Sequence, residues 1–114
     1  MSIRDESLYV GVGQWPVITL TGEIDLSRIE ELDQIFKSGW RRQAPGLIID
    51  CTPVTFMDST GLGWLLRVES EVVNDGGQLR VVLSQGPARR VFELSGLGHM
   101  FELYPSLDAA YSGG

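Results

Sequence analysis

The run Leu47-Ile48-Ile49-Asp50-Cys51 and the segment after it constrain the fold more than any other feature of the chain. The run is short, apolar and rich in β-branched residues, which suits a buried strand. Beyond it, Leu62, Leu65, Leu66, Val72 and Val73 recur at helical spacing, with Glu69 the one polar break. Between the two lies Thr55-Phe56-Met57-Asp58-Ser59-Thr60-Gly61-Leu62-Gly63, where small, polar and flexible residues interrupt apolar ones. A strand and its loop therefore hand over to a helix N-terminus at Asp58-Ser59-Thr60, and Ser59 or Asp58 is a natural N-cap for the first free amides. Gly61 and Gly63 each cost on the order of 1 kcal/mol against alanine inside a helix. A bare backbone in the first turn points to close approach by something else.

The rest of the chain alternates in the same way. After a polar lead-in over residues 1–7, Leu8-Tyr9-Val10-Gly11-Val12 and Val17-Ile18-Thr19-Leu20-Thr21 read as two strands of a hairpin around Gly13-Gln14-Trp15-Pro16. Gly22-Glu23-Ile24-Asp25 ends the second strand. Ser27 and Glu30 fit a capping box, Ile29, Leu32, Ile35 and Phe36 form a helical stripe, and Gly39 fits the C-terminal glycine position. The central helix runs from near Ser59 to about Val73 and stops at Asn74-Asp75-Gly76-Gly77. Leu79–Leu83 is a strand, Pro87 opens a helix that ends at Ser95-Gly96-Leu97-Gly98, Phe101–Tyr104 is a last strand and Ser106–Tyr111 a terminal helix. The order β-β-α-β-α-β-α-β-α predicts an α/β fold with a mostly parallel sheet of about five strands, an N-terminal antiparallel hairpin and about four helices. Sites in such sheets gather at the carboxyl ends of strands, where Asp25 and Asp50 would share a rim with Ser59.

Bulk properties narrow the function. A chain of 114 residues with 43% hydrophobic content buries one core, so a single domain over residues 1–114 is expected. The formal charge of -6, with only nine Lys and Arg, argues against direct nucleic-acid binding or attraction to an anionic membrane. One cysteine, Cys51, permits no internal disulfide and reads as a small core residue. With no secretory segment and no apolar run near the ~20 residues of a membrane span, the chain reads as cytoplasmic.

Enzymatic readings lack partners. Ser59 has Met57 and Gly61 two residues away, not the Gly-x-Ser-x-Gly of an elbow nucleophile, and His99, the single histidine, reads as solvent-facing. Gly61-x-Gly63 lacks the third glycine of a dinucleotide fingerprint, no Gly-Lys-Ser/Thr loop occurs, and no metal cluster is expected. A phospho-receiver reading fails because no acidic pair follows the first strand and Lys37, the one lysine, lies in the first helix. Neither enzyme activity nor a cofactor is expected. Trp64 lies off the helical stripe and reads either as a partner-facing aromatic or as partly buried. Arg41-Arg42 and Arg89-Arg90 are isolated basic pairs, either solvated or complementary to an acidic partner.

Four segments resemble the sulfate-transporter and anti-sigma-factor-antagonist (STAS) domain: Thr21-Gly22-Glu23-Ile24-Asp25, Phe56 to Gly63, Asp75-Gly76-Gly77-Gln78-Leu79 and Val91-Phe92-Glu93-Leu94-Ser95-Gly96-Leu97. They follow the family's order and span nearly the whole chain. The resemblance implies a bacterial anti-anti-sigma factor that binds an anti-sigma factor with serine kinase activity and so releases a sigma factor. It implies Ser59 as the phosphoacceptor, with Thr60 the weaker candidate, and a serine phosphatase that restores it. The partner surface implied is Asp25, Met57, Asp58, Thr60, Gly61, Leu62 and Gly63. A phosphate on Ser59 is expected to sit among helix amides that favour an anion. Two departures bear on partner choice: Trp64, and Arg67-Val68-Glu69-Ser70, where the family commonly has small or aliphatic residues. The alternative role on the same fold is a STAS subunit of a transporter complex or a stress-signalling assembly.

Overall fold

Both faces of the central sheet are apolar, and one strand shows why. In β3 (Gly46–Asp50) Leu47 and Ile49 join the main core, while Ile48 faces a second, smaller one. Side chains alternate across a strand, so a continuous apolar run marks a strand covered on both sides. The protein is seen here as a computed structural model that describes residues 14–113. The strand expected at Leu8–Val12, and the hairpin it would form, lie outside the described residues.

Among the described residues the sheet has the order β1-β3-β5-β6, from β1 (Val17–Thr19), β3, β5 (Gln78–Val82) and β6 (Glu102–Tyr104), and each of these pairings is parallel. Helices α1 (Ile29–Gly39), α2 (Ser59–Asn74) and α3 (Pro87–Ser95) bury Leu32, Phe36, Leu62, Leu65, Val68, Val72, Ala88 and Phe92 in the main core. The second face is packed by α4 (Leu107–Ser112) through Leu107 and Ala110, beside Trp15 and Tyr104. Arg80 ties that layer down: its guanidinium lies 3.9 Å from the Trp15 ring centroid and donates to the Ala110 carbonyl at 2.8 Å.

Two strands differ from the sequence expectation. The second expected strand is divided: Leu20 still donates to the Asp50 carbonyl at 2.9 Å, but Gly22, at φ +76, turns the chain. Positive φ is open to glycine at little cost. The chain resumes as β2 (Gly22–Ile24), which pairs in parallel with β4 (Val54–Met57) as a separate two-stranded sheet. β4 itself was expected as loop, because small, polar and flexible residues follow the apolar run of β3; in the structure its middle residues Thr55 and Phe56 are exposed. It sets Asp50 apart from Ser59. Asp50 accepts from the Thr52 amide at 2.9 Å, and the length of β4, about 10 Å, separates that turn from the α2 N-terminus.

The expected capping box at Ser27 and Glu30 is not formed. Asp25 is the cap: its Oδ1 accepts from the Ser27 amide at 3.0 Å and the Ser27 hydroxyl at 2.6 Å, starting a 3-10 turn that runs into α1. Gly39 is the last residue of α1 rather than a cap beyond it, and Trp40 leaves the helix in extended conformation. Cys51 and His99 lie as expected. Cys51 is buried, and burial, reinforced by the Asp50 charge, pushes its thiol up to about 12; His99 is exposed, its Nδ1 3.0 Å from the Gly96 carbonyl.

Candidate functional site

The site is built where β2 and β4 end together. Ile24 and Met57 are register partners, and the Asp58 amide donates to the Ile24 carbonyl at 3.3 Å. Asp25 and Asp58 therefore leave neighbouring parallel strands at the same end, and each starts a helical turn. Asp58 Oδ1 accepts from the amides of Thr60 at 2.9 Å and Gly61 at 3.2 Å, and its carbonyl accepts from the Leu62 amide at 3.2 Å. Asp58, not Ser59, is thus the N-cap of α2.

Ser59 is the first helical residue and is exposed, and its hydroxyl makes no hydrogen bond among the described residues. The amides of Thr60 and Gly61, expected to cradle an anion, are already engaged by the Asp58 carboxylate. The helix macrodipole still favours negative charge here, but only by ~0.3–1 kcal/mol at an exposed site.

The two glycines separate into different roles. A Cβ on Gly61 would lie 2.7 Å from Ile24 Cγ2 and 2.9 Å from Met57 Cγ, so the bare backbone there lets α2 sit on the ends of β2 and β4. The close approach is made by the protein itself. At Gly63 nothing lies within 4 Å of the place a Cβ would take. Thr60 and Gly63 are half-buried, whereas Met57, Gly61 and Leu62 are buried and shape the site from beneath.

Arg28 locks the rim, a role the sequence reading passed over. Its guanidinium donates to the carbonyls of Thr21 at 2.9 Å and Glu23 at 2.7 Å, and pairs with Glu31 at 2.8 Å. The turn so held presents Leu26 at 74% exposure. No pattern marks Arg28 beyond its spacing of three from Glu31. Trp64 settles in favour of burial: it is 1% exposed, and its Nε1 donates to Asp33 Oδ1 of α1 at 2.7 Å. A partner-facing Trp64 is excluded, because the second turn of α2 leans on α1 through this side chain. Among the described residues no group of three His, Cys, Asp or Glu could hold a metal ion, and no helix is long and apolar enough to cross a membrane.

The family model of the STAS domain matches residues 9–110. The chain belongs to the STAS domain family. Among curated proteins, this STAS domain is 31% identical over 97 residues to the anti-sigma-F factor antagonist RsfB of Mycobacterium tuberculosis, an alignment covering 85% of this chain and 79% of RsfB. Among solved structures, an anti-sigma factor antagonist from Mycobacterium paratuberculosis superposes with a TM-score of 0.79 at 32% identity, covering 91% of this chain and 87% of the other. The anti-sigma factor antagonist SpoIIAA in its unphosphorylated form superposes with a TM-score of 0.64 at 25% identity, covering 89% of each chain.

Proposed function

We propose that this STAS domain, taken as one unit over residues 1–114, is an anti-sigma factor antagonist whose docking is switched off by phosphorylation at Ser59. In the unmodified state it binds an anti-sigma factor with serine kinase activity and so frees a sigma factor. The contact surface is the rim of Asp25, Asp58, Thr60 and Gly63 around Ser59, supported from beneath by Met57, Gly61 and Leu62. The kinase transfers the γ-phosphoryl group of ATP to Ser59 Oγ, with loss of the hydroxyl proton and departure of ADP. A serine phosphatase hydrolyses the ester and restores the hydroxyl.

The observation that carries this reading is the exposed, unbonded hydroxyl of Ser59 at the head of α2, directly after Asp58, whose strand end neighbours that of Asp25. The similarity to proteins named as anti-sigma factor antagonists supports the choice of partner. A phosphoserine adds about -1.5 to -2 charge. Beside Asp58 and inside a contact surface, that charge and bulk weaken docking without refolding, and every 1.4 kcal/mol is about tenfold in affinity. The test is incubation with each serine-kinase anti-sigma factor of the same genome and ATP, followed by mass spectrometry of the peptide from Asp58 to Arg67. Labelling that is lost in Ser59→Ala supports the assignment. Labelling that persists in Ser59→Ala moves the acceptor to Thr60 or elsewhere.

A further inference from the structure

Next to Ser59, between β4 and the N-terminal half of α3, lies an open cleft of about 520 Å³. Phe56 and Met57 of β4 form one wall, and Pro87 and Val91 of α3 contribute the other apolar surface. Met57 leads directly into Asp58-Ser59, so the cleft is continuous with the rim already described.

Two features of this cleft bear on what it could take. Phe56 is 47% exposed, although an aromatic ring gains ~1.5–3 kcal/mol from full burial. The cleft also carries the basic pair Arg89-Arg90, with Glu93 as the one acidic residue of its lining, in a chain of net charge -6. Arg89 is engaged internally, with Glu93 at 3.3 Å and the Leu83 carbonyl at 3.3 Å. Arg90 is exposed, and its side chain makes no hydrogen bond or ion pair among the described residues. Arg28, Arg42, Arg67 and Arg80, by contrast, each lie within ion-pair distance of a carboxylate, and Arg41 donates to the Ser38 carbonyl at 3.2 Å.

We infer that this cleft is a second docking element for the anti-sigma partner, taking a segment of that protein that presents an apolar side chain with a carboxylate beside it. This rests on the proposed function. The apolar side chain enters between Phe56 and Val91, and the carboxylate meets the uncompensated guanidinium of Arg90. Charge complementarity selects the partner segment: the Arg90 guanidinium at the cleft asks for a carboxylate, and charge pairs across an interface act chiefly on specificity and association rate. Unlike the rim, the cleft contains no site of modification, so its contribution survives phosphorylation and sets which antagonist a given kinase accepts as substrate.

The test is calorimetric titration of the full chain with each purified serine-kinase anti-sigma factor of the same genome, for wild type, Phe56→Ala, Arg90→Glu, Arg90→Lys, Lys37→Glu and Ser59→Glu. Lys37→Glu makes the same change in net charge on an exposed site of α1 away from the cleft. Because the substituted cleft side chains are exposed, circular dichroism and thermal melting are expected to match wild type. The expected result is at least a tenfold loss of affinity for Phe56→Ala and for Arg90→Glu, a weaker salt dependence for Arg90→Glu, partial rescue by Arg90→Lys, and less than twofold change for Lys37→Glu. If wild type binds and Ser59→Glu does not, while Phe56→Ala and Arg90→Glu bind like wild type, the cleft inference is overturned and the proposed function stands. If wild type binds none of these kinases, the proposed function falls and the cleft inference with it.

Discussion

Asp25 and Asp58 stand one residue beyond the register pair Ile24–Met57, and each uses Oδ1 to cap the helical turn that follows it. Two carboxylates are thus held at one strand end by bonds to their own backbone, with the exposed Ser59 hydroxyl beside them. In the proposed switch the Thr60 and Gly61 amides are already taken by Asp58, so a phosphate on Ser59 would add negative charge at the surface.

The Asp58 cap has a measurable share in stability. Asp58→Ala is expected to cost about 1 kcal/mol, within the ~0.5–2 kcal/mol range for lost N-caps. Asp58→Asn, which keeps the accepting oxygen, is expected to stay close to wild type. Urea unfolding of the three proteins separates these outcomes, since a cap effect shifts the midpoint without changing the slope.

The two glycines of α2 are expected to respond in opposite directions. Gly61→Ala drives a Cβ against Ile24 and Met57 and destabilises the fold by ~1–3 kcal/mol, as overpacking does. Gly63→Ala enters open space and stabilises the helix by up to ~1 kcal/mol. If Gly63 keeps the backbone bare for a partner, the same change weakens anti-sigma binding despite the gain in melting temperature. Thermal melts paired with affinity measurements read both effects.

Trp64 is expected to act through packing first and through its indole N–H second. Trp64→Ala should cost ~3–5 kcal/mol, the range for removing a buried aromatic side chain. Trp64→Phe keeps much of the ring and removes the bond to Asp33, for about 1 kcal/mol. Chemical denaturation distinguishes the two.

Much of the architecture was legible because period and punctuation agreed. The apolar runs of β3 and β5, Pro87 at the start of α3 and the Asn74-Asp75-Gly76-Gly77 turn each gave a local signal that the tertiary structure keeps. β4 escaped because its four residues bury only Val54 and Met57, too few for an alternation to stand out, although Val-Thr-Phe-Met is β-prone. The division between β1 and β2 escaped because it depends on the positive φ of Gly22, and a glycine that bends the chain looks the same in sequence as one that ends a strand. The Ser27–Glu30 motif misled for a related reason: Asp25 lies two residues earlier and takes the Ser27 amide and hydroxyl for itself. Trp64 seemed off the stripe because its partner, Asp33, belongs to another helix. Ser59 and its neighbours were visible as a motif, whereas the cleft beside them needs β4 and α3 to be brought together in space.

Acid is expected to loosen the junction between the ends of α1 and α2. Asp75 accepts from Arg42 Nη2 at 2.8 Å and from Trp40 Nε1 at 2.8 Å, and these bonds hold its carboxyl below the usual 3.8. A carboxyl with a depressed folded-state pKa contributes stability above its unfolded value and loses it as pH falls through the folded one. The melting-temperature gap between wild type and Asp75→Asn should therefore be constant above about pH 5 and narrow progressively below the ordinary aspartate range. A gap that widens in acid would contradict the assignment.

The central claim is that charge on Ser59 governs docking. It is tested most directly by comparing the affinity of a serine-kinase anti-sigma factor for the unmodified protein and for the same protein phosphorylated stoichiometrically at Ser59. The account predicts at least a tenfold weaker complex for the phosphorylated form, equivalent to about 1.4 kcal/mol or more, with unchanged circular dichroism. Equal affinities for the two forms would contradict it.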